Sequence, residues 1–332
     1  MQKTKFSIIV PAYNAAPTIA ETLNSILQQT LTDVEIIVID DGSVDETSVI
    51  MKKFIDQDSR IKYVWQENAG PADAKNHGIQ QATGQYTLFV DADDLLEENA
   101  LTILDEALNG RENVMAVFSF TYFSADNEFT PWIWDTSSAE IDKMFTAVWN
   151  KVYSTTLLKQ IKFPAGTLFE DVGFAAMAVL LANDVIVIPN DKPLYRYRSS
   201  QKSLTHDEKV ALDHHLDLVT DFSAMFNFIS ERNITVSAEH DAQIYRLVNV
   251  ELGSNILHLG KLTTQPKEQR NRAISEMRAY QLQVNQGRKI QYYQDWKKNL
   301  KYQLLVWLNL HHFYGLALAL SKGKKIFKKG DK

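Results

Sequence analysis

No cysteine occurs anywhere in the 332 residues. Disulfides, thiolate nucleophiles and cysteine-containing zinc sites are thereby excluded, and a reducing compartment is the natural setting. No export signal opens the chain, because the apolar run Phe6–Val10 is short and stops at Pro11. There is no basic excess either: the net charge of −6 argues against a general nucleic-acid binder. Neither Gly-x-Gly-x-x-Gly nor Gly-x-x-x-x-Gly-Lys-Ser occurs, so dinucleotide-binding and P-loop readings fail. Internal repeats and low-complexity segments are missing as well.

What is present is a folding composition, 45% hydrophobic and 23% charged, with length enough for more than one domain. Charge is unevenly spread. Residues 291–332 carry nine lysines against two aspartates, a local +7 that leaves −13 on the other 290 residues. An acidic body with a basic, aromatic tail suggests an enzyme that touches something anionic at one end.

The first hundred residues alternate two patterns. Short apolar runs at Phe6–Val10, Val34–Ile39, Ile61–Trp65 and Tyr86–Val90 predict buried strands. Between them, amphipathic stretches after Pro17, from about Asp45 to Asp56, and over Ala72–Ala82 predict helices. Such alternation builds an α/β fold whose parallel sheet is covered on both faces, with ligands at the carboxyl ends of its strands. Those ends carry Pro11-Ala12-Tyr13-Asn14, Asp40-Asp41-Gly42-Ser43 and Asp91-Ala92-Asp93-Asp94, which should converge on one crevice. Further on, Val114–Phe123 reads as one strand and Glu170–Leu181 as a helix. Val185–Ile188 and Leu194–Tyr197 read as short strands, and Asp207–Gln286 as helical.

Asp91 and Asp93 can hold a hard divalent cation whose shell phosphate oxygens complete, although aspartates are equally common in strand-end turns and helix caps. An EF-hand is excluded, since its sixth loop position is Leu96 rather than glycine. A carboxylate of Asp40-Asp41-Gly42-Ser43 is placed to accept hydrogen bonds from a base or ribose, although a turn before a helix capped by Asp45 accounts for it equally. Lys75 and Arg198 are candidates to meet phosphate charge, although most such residues merely face solvent. Glu170-Asp171 reads first as a helix start whose acids favour the positive dipole end. Of the aromatic group Trp132, Ile133, Trp134 and Trp149, at least half should pack in the core, and the rest present faces to sugar rings. His214 and His215 lack a metal-ligand pattern and read as structural or surface residues.

Ordered segments carry a resemblance. Ser7-Ile8-Ile9-Val10-Pro11-Ala12-Tyr13-Asn14 and Val38-Ile39-Asp40-Asp41-Gly42-Ser43 open it. Glu67-Asn68-Ala69-Gly70, Ala74-Lys75-Asn76-His77-Gly78, Ala82-Thr83-Gly84 and Asp91-Ala92-Asp93-Asp94 continue it. Trp149-Asn150-Lys151-Val152-Tyr153, Phe169-Glu170-Asp171-Val172 and Tyr195-Arg196-Tyr197-Arg198 with Ser203 complete it. Over roughly residues 5–205 the chain resembles family-2 inverting glycosyltransferases of the GT-A fold, bacterial surface-polysaccharide type.

The resemblance implies a Rossmann-like, mostly parallel sheet with helices on both faces, followed by a helical region. It implies that Pro11, Ala12 and Tyr13 shape a nucleobase pocket and that Asp41 bonds uracil, hence a UDP-sugar donor. Asp91 matches a ribose or donor-sugar contact, and Asp93 the principal ligand of Mn²⁺ or Mg²⁺. Lys75 stands where many members have arginine. Asp171 matches the general base, with Glu170 beside it, and Arg198 and Ser203 match a segment that closes over the diphosphate. The Gln-x-x-Arg-Trp pattern of processive synthases is lacking, which favours one sugar per binding event. A catalytically silent nucleotide-binding or scaffold subunit is the alternative reading.

The expected organisation is a catalytic domain over 1–206, a helical domain over 207–290 and a membrane-associating tail over 291–332. In the tail, Tyr302–Ser321 has no charged side chain, lysines flank it on both sides, and Trp296, Trp307, Phe313 and Tyr314 suit an interfacial helix. This predicts a cytoplasmic protein held peripherally on an anionic inner membrane face, beside a glycan or lipid-linked glycan acceptor. No nucleic-acid partner is expected, and a homo-oligomer is compatible with the sequence.

Overall fold

Four strands and three helices alternate along the first ninety residues. In a computed structural model they are β1 (Phe6–Ala12), α1 (Ile19–Leu27), β2 (Val34–Asp41), α2 (Thr47–Gln57), β3 (Ile61–Gln66), α3 (Pro71–Gln81) and β4 (Tyr86–Phe89). Three of the strands are largely buried, but the burial expected at Ile61–Trp65 is not met, since Lys62 and Trp65 there are exposed. The structure describes residues 4–123, 129–134, 138–189, 193–199, 212, 214–261 and 266–286. The chain continues through β5 (Leu95–Leu96), α4 (Ala100–Leu108), β6 (Val114–Val117), β7 (Phe120–Phe123) and β8 (Phe129–Trp134). Next come β9 (Lys151–Ser154), α5 (Thr155–Leu158), α6 (Asp171–Leu181), β10 (Asp184–Val187) and β11 (Tyr195–Arg198). Helices α7 (Asp217–Glu231), α8 (Ala238–Lys261) and α9 (Lys267–Val284) follow.

The main sheet has seven strands in the order β10-β6-β9-β4-β1-β2-β3. All its pairs are parallel except those of β9, which runs antiparallel to both β4 and β6. The register sets the strand ends side by side, with Ala12 opposite Asp40 and Asp41 opposite Gln66. One face packs Ile8, Val10, Ile36 and Val38 with Ile19, Leu23, Met51, Leu101 and Leu104 of α1, α2 and α4. The other face sets Ile37 and Ile39 against Ala74 of α3. Burial of such apolar side chains contributes about 1.5–3 kcal/mol each.

The run Val114–Phe123 is two strands, not one. β6 belongs to the main sheet, whereas β7 belongs to a second sheet ordered β5-β11-β7-β8. The chain crosses at Phe118 and Ser119, where Phe118 N–H donates to Asn150 O and Ser119 O accepts from Leu194 N–H. Residues 114–120 are all buried, so no change of pattern marks the crossing.

By internal packing the chain forms two compact units. One is Met1–Gln201 with Thr220–Thr235, the other Lys202–Val219 with Val236–Lys332. Within the second unit, amide groups of Asn249, Gln281 and Asn285 join α8 to α9. His215 is also structural there, with Nδ1 on Leu212 O and Nε2 on Glu276. Among the described residues, no helix is long and apolar enough to cross a membrane. The tail expected over 291–332 lies outside them.

Candidate active site

Asp41 ends β2, buried, and its carboxylate gathers the β3–α3 connection. It accepts from Gln66 Nε2 at 2.7 Å, Ala69 N–H at 2.9 Å and Gly70 N–H at 2.8 Å. The approach requires Gly42, whose φ is +76° and whose added Cβ would lie 2.8 Å from Asn68 N. Its neighbour Asp40 plays a different part, taking Ser43 N–H at 2.8 Å and Tyr63 O–H at 2.5 Å. The β1 and β2 ends are tied reciprocally: Asn14 N–H donates to Ser43 Oγ, and Val44 N–H to Asn14 Oδ1. Beside this tie, the Tyr13 ring stands 54% exposed while Ala12 is buried. An exposed aromatic face next to a strand-end carboxylate suits a flat, hydrogen-bonding base.

The Asp91–Asp94 turn is held from two sides. Thr18 and Thr22 of α1 donate their hydroxyls to Ala92 O, at 2.9 and 3.0 Å. From β11, Tyr195 O–H and Arg198 N–H both donate to the buried Asp94. Arg198 also donates its Nε–H to Asp93 O, pairs with Glu21 and lies 4.3 Å from the Phe123 ring centroid. Its guanidinium therefore anchors this turn.

Asp91 and Asp93 are left over. Among the described residues, neither carboxylate accepts a hydrogen bond from another residue. Burial pushes Asp91 up to about 7, with Lys75 opposing and Asp93, Asp171 and Glu170 adding to the rise. Burial likewise raises Asp93. Two unbonded carboxylates whose charge is unfavourable where it stands fit a hard divalent cation, which would restore that charge. No group of three or more His, Asp or Glu side chains among the described residues makes a ready-made metal cluster. The protein would thus supply a part of the shell, leaving room for phosphate oxygens.

Across the crevice, α6 begins with Asp171, and Lys75 of α3 reaches it. The buried ammonium lies 2.6 Å from Glu170 and 2.8 Å from Asp171. Burial works against the charge of Lys75, but Asp171, Glu170 and Asp91 more than offset it and hold its pKa well above the usual lysine value. Glu170 is 5% exposed and Asp171 22%, so only Asp171 is open to a reactant. Asp171 Oδ1 is taken by Lys75, whereas among the described residues Oδ2 accepts only a 3.3 Å bond from Val148 N–H.

Behind Val148, Lys151 is fully buried in β9 and donates to Phe145 O, Ala147 O and Asn150 Oδ1. Burial pushes this lysine down to about 7. Even so, three acceptors are satisfied together only by the charged form with its three N–H groups. Trp149 is buried as well, stacked on Tyr195 at 4.6 Å and on Tyr197 at 5.2 Å. It belongs to the packed half of the aromatic group; the side chains of Trp132, Ile133 and Trp134 lie outside the described residues, as does Ser203. The structure thus brings Asp91, Lys75, Glu170 and Asp171 within electrostatic reach, with Asp93 on the same turn as Asp91. Tyr13 and Asp41 lie at the ends of neighbouring strands. Sequence reasoning missed the roles of Asp94, Tyr195 and Asp221; the first two lie in motifs of the resemblance that do not disclose their partnership, and Asp221 carries no local signal.

The chain is similar to known proteins. The chain is 32% identical over 220 residues to "Glycosyltransferase GlyA" of Streptococcus pneumoniae, covering 60% of this chain and 31% of that one. It is 32% identical over 212 residues to the poly(ribitol-phosphate) beta-N-acetylglucosaminyltransferase TarS of Staphylococcus aureus, covering 58% of this chain and 35% of TarS. These matches span about a third of either relative's length. The crystal structure of TarS 1–349 in complex with UDP-GlcNAc superposes with a TM-score of 0.54 at 22% identity, over 87% of this chain and 94% of that one. The mannosyltransferase PcManGT from Pyrobaculum calidifontis, in complex with GDP-Man and Mn²⁺, gives 0.54 at 17% identity over 97% and 88%. At such identities the likeness is one of fold, here GT-A. Residues 7–177 match the family "Glycosyl transferase family 2", just over half of the chain. The protein is therefore a glycosyltransferase and belongs to glycosyltransferase family 2.

Proposed function

We propose that the protein is a metal-dependent, inverting glycosyltransferase that moves one sugar from a UDP-sugar to an acceptor hydroxyl on a lipid-linked glycan of a surface polysaccharide. The observation that carries the reading is the pairing of two unbonded carboxylates, Asp91 and Asp93, with the lysine-held acids Glu170 and Asp171. UDP-GlcNAc bound to TarS supports a UDP-sugar donor, and Mn²⁺ with PcManGT supports a divalent cation.

Tyr13 offers its exposed face to the base, with Pro11 and Ala12 forming the floor and Asp41 at its edge. Asp93, with Asp91 beside it, would hold Mn²⁺ or Mg²⁺, which would supply charge neutralisation for the leaving diphosphate. Asp171 Oδ2 takes the proton of the attacking hydroxyl as the new glycosidic bond forms and the bond to UDP breaks. Attack opposite the leaving group in one step inverts the anomeric carbon. Lys75 holds the acid pair in place through its two ion pairs. Arg198 keeps Asp93 in place through its backbone, and Ser203 is assigned to the segment over the diphosphate.

The test is a panel of UDP-sugars and GDP-mannose, scored by nucleotide release with Mn²⁺ or EDTA, with and without lipid-linked acceptors. Release only from UDP-sugars, abolished by EDTA, is the expected result. Residues 291–332 are assigned to an anionic membrane surface, so a chain ending at residue 290 should lose binding to anionic liposomes while keeping slow donor hydrolysis.

A further inference from the structure

Helix α6 begins without help from its own N-cap. The residue before it, Glu170, makes no capping bond, because its side chain is turned to Lys75. A helix start leaves several backbone N–H groups without partners, and a cap normally satisfies one of them. Here the acceptor comes from elsewhere in the chain. Gly173 N–H, in the first turn of α6, donates to Asp221 Oδ2 at 2.5 Å across 48 residues of sequence. Asp221 lies in the part of α7 that packs with the catalytic unit.

The contact is tight on both sides. Asp221 is fully buried. A Cβ on Gly173 would stand 2.9 Å from Asp221 Oδ2 and 3.0 Å from its backbone oxygen, so only glycine admits this approach. Asp221 Oδ1 is buried with no hydrogen-bond partner among the described residues. Burial raises the carboxyl of Asp221 well above the usual range, and Asp171 and Glu170 push the same way. A buried oxygen without a donor costs stability, so the arrangement is a poor source of net folding energy. Its effect is positional: among the described residues, the first turn of α6 is held by Lys75, by Val148, by a long local bond from Val172 N–H to Phe169 O and, from α7, by Asp221.

We infer that Asp221 is a positioning residue for sugar transfer, fixing through Gly173 the helix start that aims Asp171 at the acceptor. The inference rests on the assignment of Asp171 as the base. It also places a part of α7, beyond residue 206, within the catalytic machinery.

The experiment compares Asp221→Asn, Asp221→Ala and Gly173→Ala in the full chain, reading kcat, KM for the donor, UDP affinity and melting temperature. Asp221→Asn retains an oxygen for Gly173 N–H and should keep kcat within about threefold. Asp221→Ala should lower kcat at least tenfold with UDP affinity within about threefold, since a displacement near 1 Å can cost about 100-fold in rate. Gly173→Ala breaks the contact from the other side and should copy that pattern, which keeps the test open should Asp221→Ala fail to fold. Unchanged kcat in Asp221→Ala, equal losses of kcat and UDP affinity, or an Asn variant as damaged as the Ala variant would each overturn the inference. Asp171→Asn is run beside them. If it retains turnover, the assignment of the base fails, whereas normal kcat in Asp221→Ala beside an inactive Asp171→Asn refutes the positioning role alone.

Discussion

Lys75→Met keeps the length of the side chain, and with it the packing near the Phe163 ring 5.3 Å from Nζ, while removing the charge between two acids. Glu170 and Asp171 then face each other in a site where Glu170 is 5% exposed. Removing one partner of a buried ion pair costs about 3–5 kcal/mol. Proton uptake sets a ceiling on that cost. Glu170, already pushed upward by burial, takes a proton in the folded variant but ionises at its ordinary 4.5 when unfolded. Holding that proton at pH 7 costs roughly 3.4 kcal/mol, falling to below about 1 kcal/mol at pH 5. The sign follows from linkage. The folded variant binds more protons than the unfolded chain, so its stability falls as pH rises, and the deficit against the parent shrinks toward acid. Urea unfolding of both proteins at pH 5, 6 and 7, followed by tryptophan fluorescence, measures this directly. A deficit under about 1 kcal/mol at pH 7, or one that does not change with pH, would refute the reasoning and reduce the Lys75 contacts to surface-like pairs.

Three other outcomes are expected. Asp93→Ala should abolish Mn²⁺-dependent UDP release and weaken donor binding; near-parental activity in EDTA would remove the metal from the mechanism. Asp171→Asn should bind UDP within a few-fold of the parent while sugar transfer falls by about 10²–10⁴, and equal losses in binding and turnover would make Asp171 structural. Glu35 lies at the opposite end of the sheet, where Ser7, Thr83, Gly84 and Lys62 donate to it. Burial raises its pKa, but those partners outweigh burial and lower it to about 2. Its stabilisation of about 3 kcal/mol is present above pH 4.5 and lost as pH falls toward 2. Glu35→Gln should therefore flatten the acid unfolding profile in that window, and an unchanged profile would contradict the assignment.

Most of the fold legible from sequence has strands covered on both faces, the edge strand β3 being an exception. β1, β2 and β4 are continuous apolar runs, because a parallel strand under two helical layers has no solvent side. Continuity is also why the crossing at Phe118 and Ser119 escapes notice: with residues 114–120 all buried, polarity cannot mark the point where one sheet hands over to the other. β9 is hidden for the opposite reason. A lysine breaks the apolar pattern at residue 151, and only three carbonyl acceptors folded around its ammonium make it a core residue.

The same division runs through the site. Strand-end aspartates announce a ligand crevice, since nothing in a turn requires so many acids, and the ordered motifs sort them into roles. What no motif can carry is which acid keeps a free lone pair. Asp40, Asp41 and Asp94 have the same chemistry as Asp91 and Asp93, yet the first three are hydrogen-bonded by Tyr63, Gln66, the Gly70 backbone and Tyr195, and among the described residues the other two are not. That distinction depends on partners 23 to 101 residues away in the chain. Lys75, 95 residues before Glu170, and Asp221, 48 residues after Gly173, are cases of the same kind. A residue becomes a ligand, a base or a brace according to which donors tertiary packing has already assigned to its oxygens, and local sequence holds no record of that assignment.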